Sequence, residues 1–72
     1  MGNIVKDLEE IFEVEELDLN LEFKDLEEWD SLSVLSTLAL LDSDYGISLT
    51  KEEIEAFSSI NVFIEYVNEN AR

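Results

Sequence analysis

The stretch that decides the fold runs from Trp29 to Gly46, WDSLSVLSTLALLDSDYG. Asp30 and Ser31 are residue types that cap helix starts. An apolar repeat begins directly after them, and Gly46 is a favoured residue just beyond a helix end. The spacing predicts a helix from about Ser31 to Tyr45. Val34, Leu38, Leu41 and Tyr45 form one stripe at helical intervals, and Leu32, Leu35 and Ala39 form a second, rotated away from it. One buried face does not need both. On periodicity alone both read as core. The competing reading is that the second stripe, beside the acidic Asp42 and Asp44, meets partners.

The flanks carry the same signature. Upstream, Ile4, Leu8 and Ile11 recur at helical spacing with Val5 and Phe12 beside them, while Glu9, Glu10 and Glu13 fall off the stripe. This is an amphipathic first helix. From Val14 to Trp29 the residues Leu17, Leu19, Leu21 and Phe23 alternate with polar ones. A single strand has no partner in this chain, so the segment reads as an extended loop pinning apolar side chains onto the helices. It leaves room for a short helical turn around Lys24 to Glu28. Downstream, Thr50-Lys51-Glu52-Glu53 has the form of a capping box. A short third helix follows, ending near Phe57 and contributing Ile54. Ser58 or Ser59 caps a fourth, in which Ile60, Phe63, Ile64 and Val67 repeat. The polar tail from Asn68 to Arg72 is expected to fray. Proline is absent and glycine occurs only at positions 2 and 46, which suits helices throughout. The expectation is an all-α bundle, three longer helices and one short one, in a single domain over residues 1–72.

Composition narrows the function. A chain of 72 residues buries only about 60% of its unfolded surface, which leaves little core in which to build an active site. Its 46% hydrophobic content is ordinary for a folded domain, and without cysteine its stability must come from packing. The net charge of -15, from 19 acidic and 4 basic residues, repels nucleic acid and anionic lipid and attracts proteins with Lys and Arg patches. The same charge also serves simply to keep a small domain soluble. No apolar run is long enough for a membrane span and no basic segment opens a signal peptide, so a soluble, cytoplasmic and monomeric protein is expected.

Histidine is absent, which removes Ser-His-Asp hydrolysis and His-ligated zinc. No Gly-rich phosphate loop is present, and the many carboxylates fall on solvated helix faces where nothing raises a pKa for acid catalysis. Enzyme chemistry is not expected. Asp42, Asp44 and Glu53 sit at three ligand spacings of an EF-hand loop, but Gly46 and Ile47 occupy positions that need an oxygen ligand and a glycine. No metal site is read there. The informative segment is Glu28-Trp29-Asp30-Ser31-Leu32-Ser33. Read plainly, it is a helix start. Yet only one residue is needed as the cap, and if Asp30 takes that role, the Ser31 hydroxyl is left free to face solvent. A phosphodiester there would sit beside unsatisfied N–H groups and the positive end of the helix dipole.

Asp30-Ser31-Leu32 opening a long helix, the apolar run to Tyr45, the capped short helix Thr50 to Phe57 and the final helix from Ser59-Ile60 to Val67 together resemble the acyl carrier protein family. The similarity runs without a gap from about Trp29 to Val67. The resemblance implies a right-handed helical bundle in which Ser31 bears a 4'-phosphopantetheine arm. A phosphopantetheinyl transferase would add that arm from coenzyme A. It further implies that Asp30 matches the family's usual acid before the serine, and that Leu32, Leu35, Ala39 and Asp42 contact partner enzymes bearing basic patches. That reverses the core reading of the second stripe. Val34, Leu38, Leu41, Tyr45, Ile54, Phe57, Phe63 and Val67 would line the interior. The chain departs from the family pattern at Trp29, where a small residue is common, and at Ser33, Ser36 and Ser43, where fatty-acid carriers are often acidic. Phe57 and Phe63 are bulky for an acyl cavity. The implied function is an acyl carrier holding intermediates as thioesters in fatty-acid or specialised acyl biosynthesis. An aminoacyl or peptidyl carrier, or an acidic non-covalent interaction module, are the alternatives.

Overall fold

A computed structural model describes residues 3–71. Among them it contains four α-helices and no strand: α1 (Ile4–Phe12), α2 (Ser31–Leu40), α3 (Lys51–Glu55) and α4 (Ile60–Asn70). Each helix starts on a side-chain cap that the sequence supplies. The Asn3 carboxamide oxygen accepts from the backbone N–H groups of Val5 and Lys6, and Ser59 Oγ accepts from Val62 N–H at 3.3 Å. Thr50 and Glu53 exchange hydrogen bonds in the expected capping box. Glu13 closes α1 in the left-handed region at φ 57°, and Val14 N–H reaches back to the Glu9 carbonyl at 3.0 Å. That closure satisfies carbonyls the helix end would otherwise leave unpaired.

The long connection from Glu13 to Asp30 is irregular, as the sequence suggests, and its alternation has a physical cause. The carbonyls of Leu19 and Leu21, two residues apart, accept from Asn61 N–H at 2.9 Å and Ile60 N–H at 2.8 Å. They serve the unpaired donors of α4's first turn, while Leu17 and Phe23 turn into the core. The one helical turn in this segment is a 3₁₀ turn at Phe23–Asp25, earlier and shorter than Lys24 to Glu28.

α2 continues as a π-turn, Leu41–Tyr45, before Gly46 ends it in the left-handed region at φ 66°. The Leu41 carbonyl accepts from both Gly46 and Ile47 N–H. This wide last turn lets Leu41, Tyr45 and Ile47 all enter the core and leaves Asp42, Ser43 and Asp44 outside. Tyr45 donates its hydroxyl to Asp7 at 2.7 Å, tying α2 to α1. Burial, and then that carboxylate, push the phenol pKa up.

Ile4, Leu8, Phe12, Phe23, Leu41, Ile54, Ile60, Phe63 and Val67 form the centre of the core. Phe23 meets Phe63 edge-on at 4.9 Å, and Phe57 packs against Phe63 at 5.6 Å, an arrangement aromatic quadrupoles favour. Among the described residues no buried side-chain nitrogen or oxygen lacks a hydrogen-bond partner.

Three expectations need correction. Periodicity reads Leu32, Leu35 and Ala39 as core, but the structure leaves Leu32 74% and Leu35 65% exposed and Ala39 exposed as well. α2 packs on α1, and among the described residues no element covers this stripe. α3 stops at Glu55, short of Phe57. α4 stays helical through Asn70, whose side chain donates to the Tyr66 carbonyl at 2.8 Å, so the expected fraying does not begin at Asn68. Arg72 lies outside the described residues.

Candidate functional site

The head of α2 assigns its two serines to different tasks. Asp30 is the N-cap, with its carboxylate accepting from Ser33 N–H at 2.9 Å. Ser33 Oγ returns the bond by accepting from Asp30 N–H at 2.9 Å, and it lies 2.7 Å from the Glu28 carbonyl, to which it donates. This capping box therefore uses serine at the position where Glu or Gln is usual, and Ser33 is buried. Thr37, fully buried one turn later, donates to the Ser33 carbonyl at 2.8 Å. The hydrogen bond from Ser33 N–H holds the Asp30 carboxyl below its ordinary pKa. Ser31, the first residue of α2, takes no part in the cap and is exposed. Its hydroxyl stands at the positive end of the helix, beside first-turn N–H groups without intrahelical partners.

An open groove of about 560 Å³ begins at Ser31. Val34, Leu35 and Leu38 of α2 line it together with Trp29. Trp29 packs on Phe23 at 4.9 Å, and its indole Nε1–H donates to Glu55 of α3 at 2.8 Å. The residue that departs from the family pattern thus joins the segment before Ser31 to α3. Lys24 and Lys51 also line the groove.

The residues expected to meet partners are only partly gathered. Leu35 shares the groove with Ser31 and Asp30. Leu32 borders a separate hollow with Phe12, Ser33 and Ser36, and Ala39 borders a third with Asp7 and Asp44. Asp42 is exposed on the π-turn. Glu53, the third residue of the calcium-like spacing, spends its carboxylate on Thr50 N–H. Sequence reasoning missed Ser33 as the partner of the cap, and it missed Lys24, Lys51 and Glu55 at the groove. The scarcity of basic residues was the available signal for the two lysines.

An exposed hydroxyl free of the cap, beside an open groove, fits the attachment of a flexible phosphodiester-linked arm. A family model described as phosphopantetheine attachment site matches residues 2–67 of the 72. No curated protein and no solved structure matches the chain.

Proposed function

Because this chain belongs to the family of phosphopantetheine-attachment proteins, we propose that Ser31 bears the arm and that the protein delivers acyl groups to successive enzymes. Family membership makes the protein a carrier, not a catalyst, with 4'-phosphopantetheine as its prosthetic group and a phosphopantetheinyl transferase among its partners. When attached, the arm supplies a thiol that holds cargo as a thioester. The chain's own residues provide the rest. The single observation that carries the assignment to Ser31 is the division of labour at the head of α2. Asp30 and Ser33 form the capping box between themselves, so the Ser31 oxygen is free to lose its proton and take up the phosphopantetheinyl group of coenzyme A, with adenosine 3',5'-bisphosphate leaving, without dismantling the cap. Asp30, fixed by that cap, orients the first turn.

Leu32, Leu35 and Ala39, exposed on one side of α2, supply an apolar contact for partner enzymes. Asp42 and its acidic neighbours draw in enzymes bearing Lys and Arg patches. Serines at positions 36 and 43 thin that acidic rim, which favours a specialised acyl pathway over primary fatty-acid synthesis. A cytoplasmic monomer completes this reading.

The experiment is mass spectrometry after treatment of the purified protein with coenzyme A and broad-specificity phosphopantetheinyl transferases. The wild type gains one phosphopantetheinyl mass and Ser31→Ala gains none. Modification persisting in Ser31→Ala, or absent from the wild type under several transferases, refutes the assignment.

A further inference from the structure

We propose that the groove beside Ser31 is a cargo subsite selective for acyl groups ending in a carboxylate, and that Lys24 and Lys51 read that end; this rests on the carrier function above. The distribution of charge carries the inference. The chain has four basic residues against 19 acidic ones. Two of the four, Lys24 from the 3₁₀ turn and Lys51 at the start of α3, stand at this one groove. Lys6 lies instead on α1 among Glu9, Glu10 and Glu13. The rest of the groove's lining is mostly apolar, from Val34, Leu35, Leu38 and Trp29. Its occupant therefore has an aliphatic stem and an anionic tip.

Both lysines are held only in long surface ion pairs. Lys24 Nζ is 3.7 Å from Glu22 and Lys51 Nζ is 3.7 Å from Glu55, with the two lysine side chains 61% and 54% exposed. Such surface pairs contribute little and are exchanged readily. The two carboxylates that also line the groove are engaged: Asp30 accepts from Ser33 N–H, and Glu55 accepts from the Trp29 indole. Lys24 and Lys51 match Asp30 and Glu55 in number, so the groove is close to neutral on a body of net charge -15. A tethered carboxylate swinging elsewhere meets repulsion, whereas in the groove two ammonium groups offset the Asp30 and Glu55 carboxylates. Tethering to Ser31 keeps the effective concentration on the order of millimolar, so weak contacts suffice to populate the site. An uncharged acyl group of equal length has only the apolar wall.

The arm's own phosphodiester is also an anion, and the test separates it from cargo. The protein is loaded with coenzyme A, hexanoyl-coenzyme A or adipoyl-coenzyme A, and the mass of each product is read first. Failure to load overturns the carrier reading and the subsite with it. Thioester cleavage by hydroxylamine is then compared, normalised to the same two thioesters on free coenzyme A, with the emission of Trp29 as a second readout. The adipoyl form is cleaved about threefold more slowly than the hexanoyl form, the scale of two exposed ion pairs. Only the adipoyl form shows Trp29 emission displaced from that of the arm alone in a salt-sensitive way. Lys24→Gln with Lys51→Gln, checked for an unchanged melting curve, abolishes both effects. Equal cleavage and emission for the two cargoes overturns the proposal, as does a difference that survives the double variant. So does a double variant that alters the arm-only form as much as the adipoyl form, since the lysines would then serve the phosphodiester.

Discussion

At the scale of single residues, Ser31 and Ser33 are two positions apart and chemically identical, yet the fold treats them oppositely. Ser33 is buried and joins both halves of the capping box, reaching the Glu28 carbonyl as well. Removing its hydroxyl strands the Asp30 N–H and that carbonyl together. Ser33→Ala should therefore destabilise the protein by about 1–2 kcal/mol, in the range of lost N-terminal caps. Ser31→Ala, exposed and outside the cap, should change stability by less than about 0.5 kcal/mol. Urea unfolding of the two variants checks this, and equal losses would contradict the separate roles. The comparison also ensures that loss of modification in Ser31→Ala reflects the missing oxygen and not a damaged fold.

At the scale of the element, α2 presents two apolar stripes with different fates. Leu41 is fully buried, and Tyr45 is buried and hydrogen-bonded to Asp7. Leu35, on the other stripe, is 65% exposed. Leu41→Ala should cost about 2–5 kcal/mol through lost burial and the cavity it leaves. Leu35→Ala should cost less than about 0.5 kcal/mol while slowing turnover by an enzyme that uses the loaded carrier. Paired melting curves and turnover assays test this. A Leu35→Ala melting loss as large as that of Leu41→Ala would place Leu35 in the core. The π-turn extends the buried stripe past the end of α2, with Leu41 and Tyr45 both in the core.

At the scale of the molecule, charge repulsion sets the response to solvent. The protein measures 29 × 22 × 21 Å, and the Debye length is about 30 Å at 0.01 M salt but about 3 Å at 1 M. At low salt every carboxylate therefore feels most of the others, and at high salt only its neighbours. The melting temperature should rise by several degrees between these limits, and a flat profile in differential scanning calorimetry would contradict the repulsion. Mild acidification acts in the same direction by discharging carboxylates. It has a limit at Asp30, whose folded pKa is lowered by the bond from Ser33 N–H. A lowered pKa means that its stabilisation is present above the ordinary value of 3.8 and is lost as pH falls through the lower folded value. Stability should rise on the way down from neutrality and turn over below about pH 4.

The helices, their capping residues and the bundle class are written in the sequence because each depends on partners within a turn or two. Asn3, Asp30, Thr50 and Ser59 each cap a helix whose first N–H groups follow directly in the chain. Apolar spacing likewise fixes which face of α1 or α4 turns inward. Ser31 was legible for the same reason, as a residue beside a cap that needed only one of its neighbours. Tertiary structure alone decided which stripe of α2 remains bare, since that depends on where α1 comes to rest against it. It alone bonded the Trp29 indole to Glu55 and brought the lysines of a loop and of α3 to one groove. Those meetings join residues far apart in the chain, and local spacing carries no record of them.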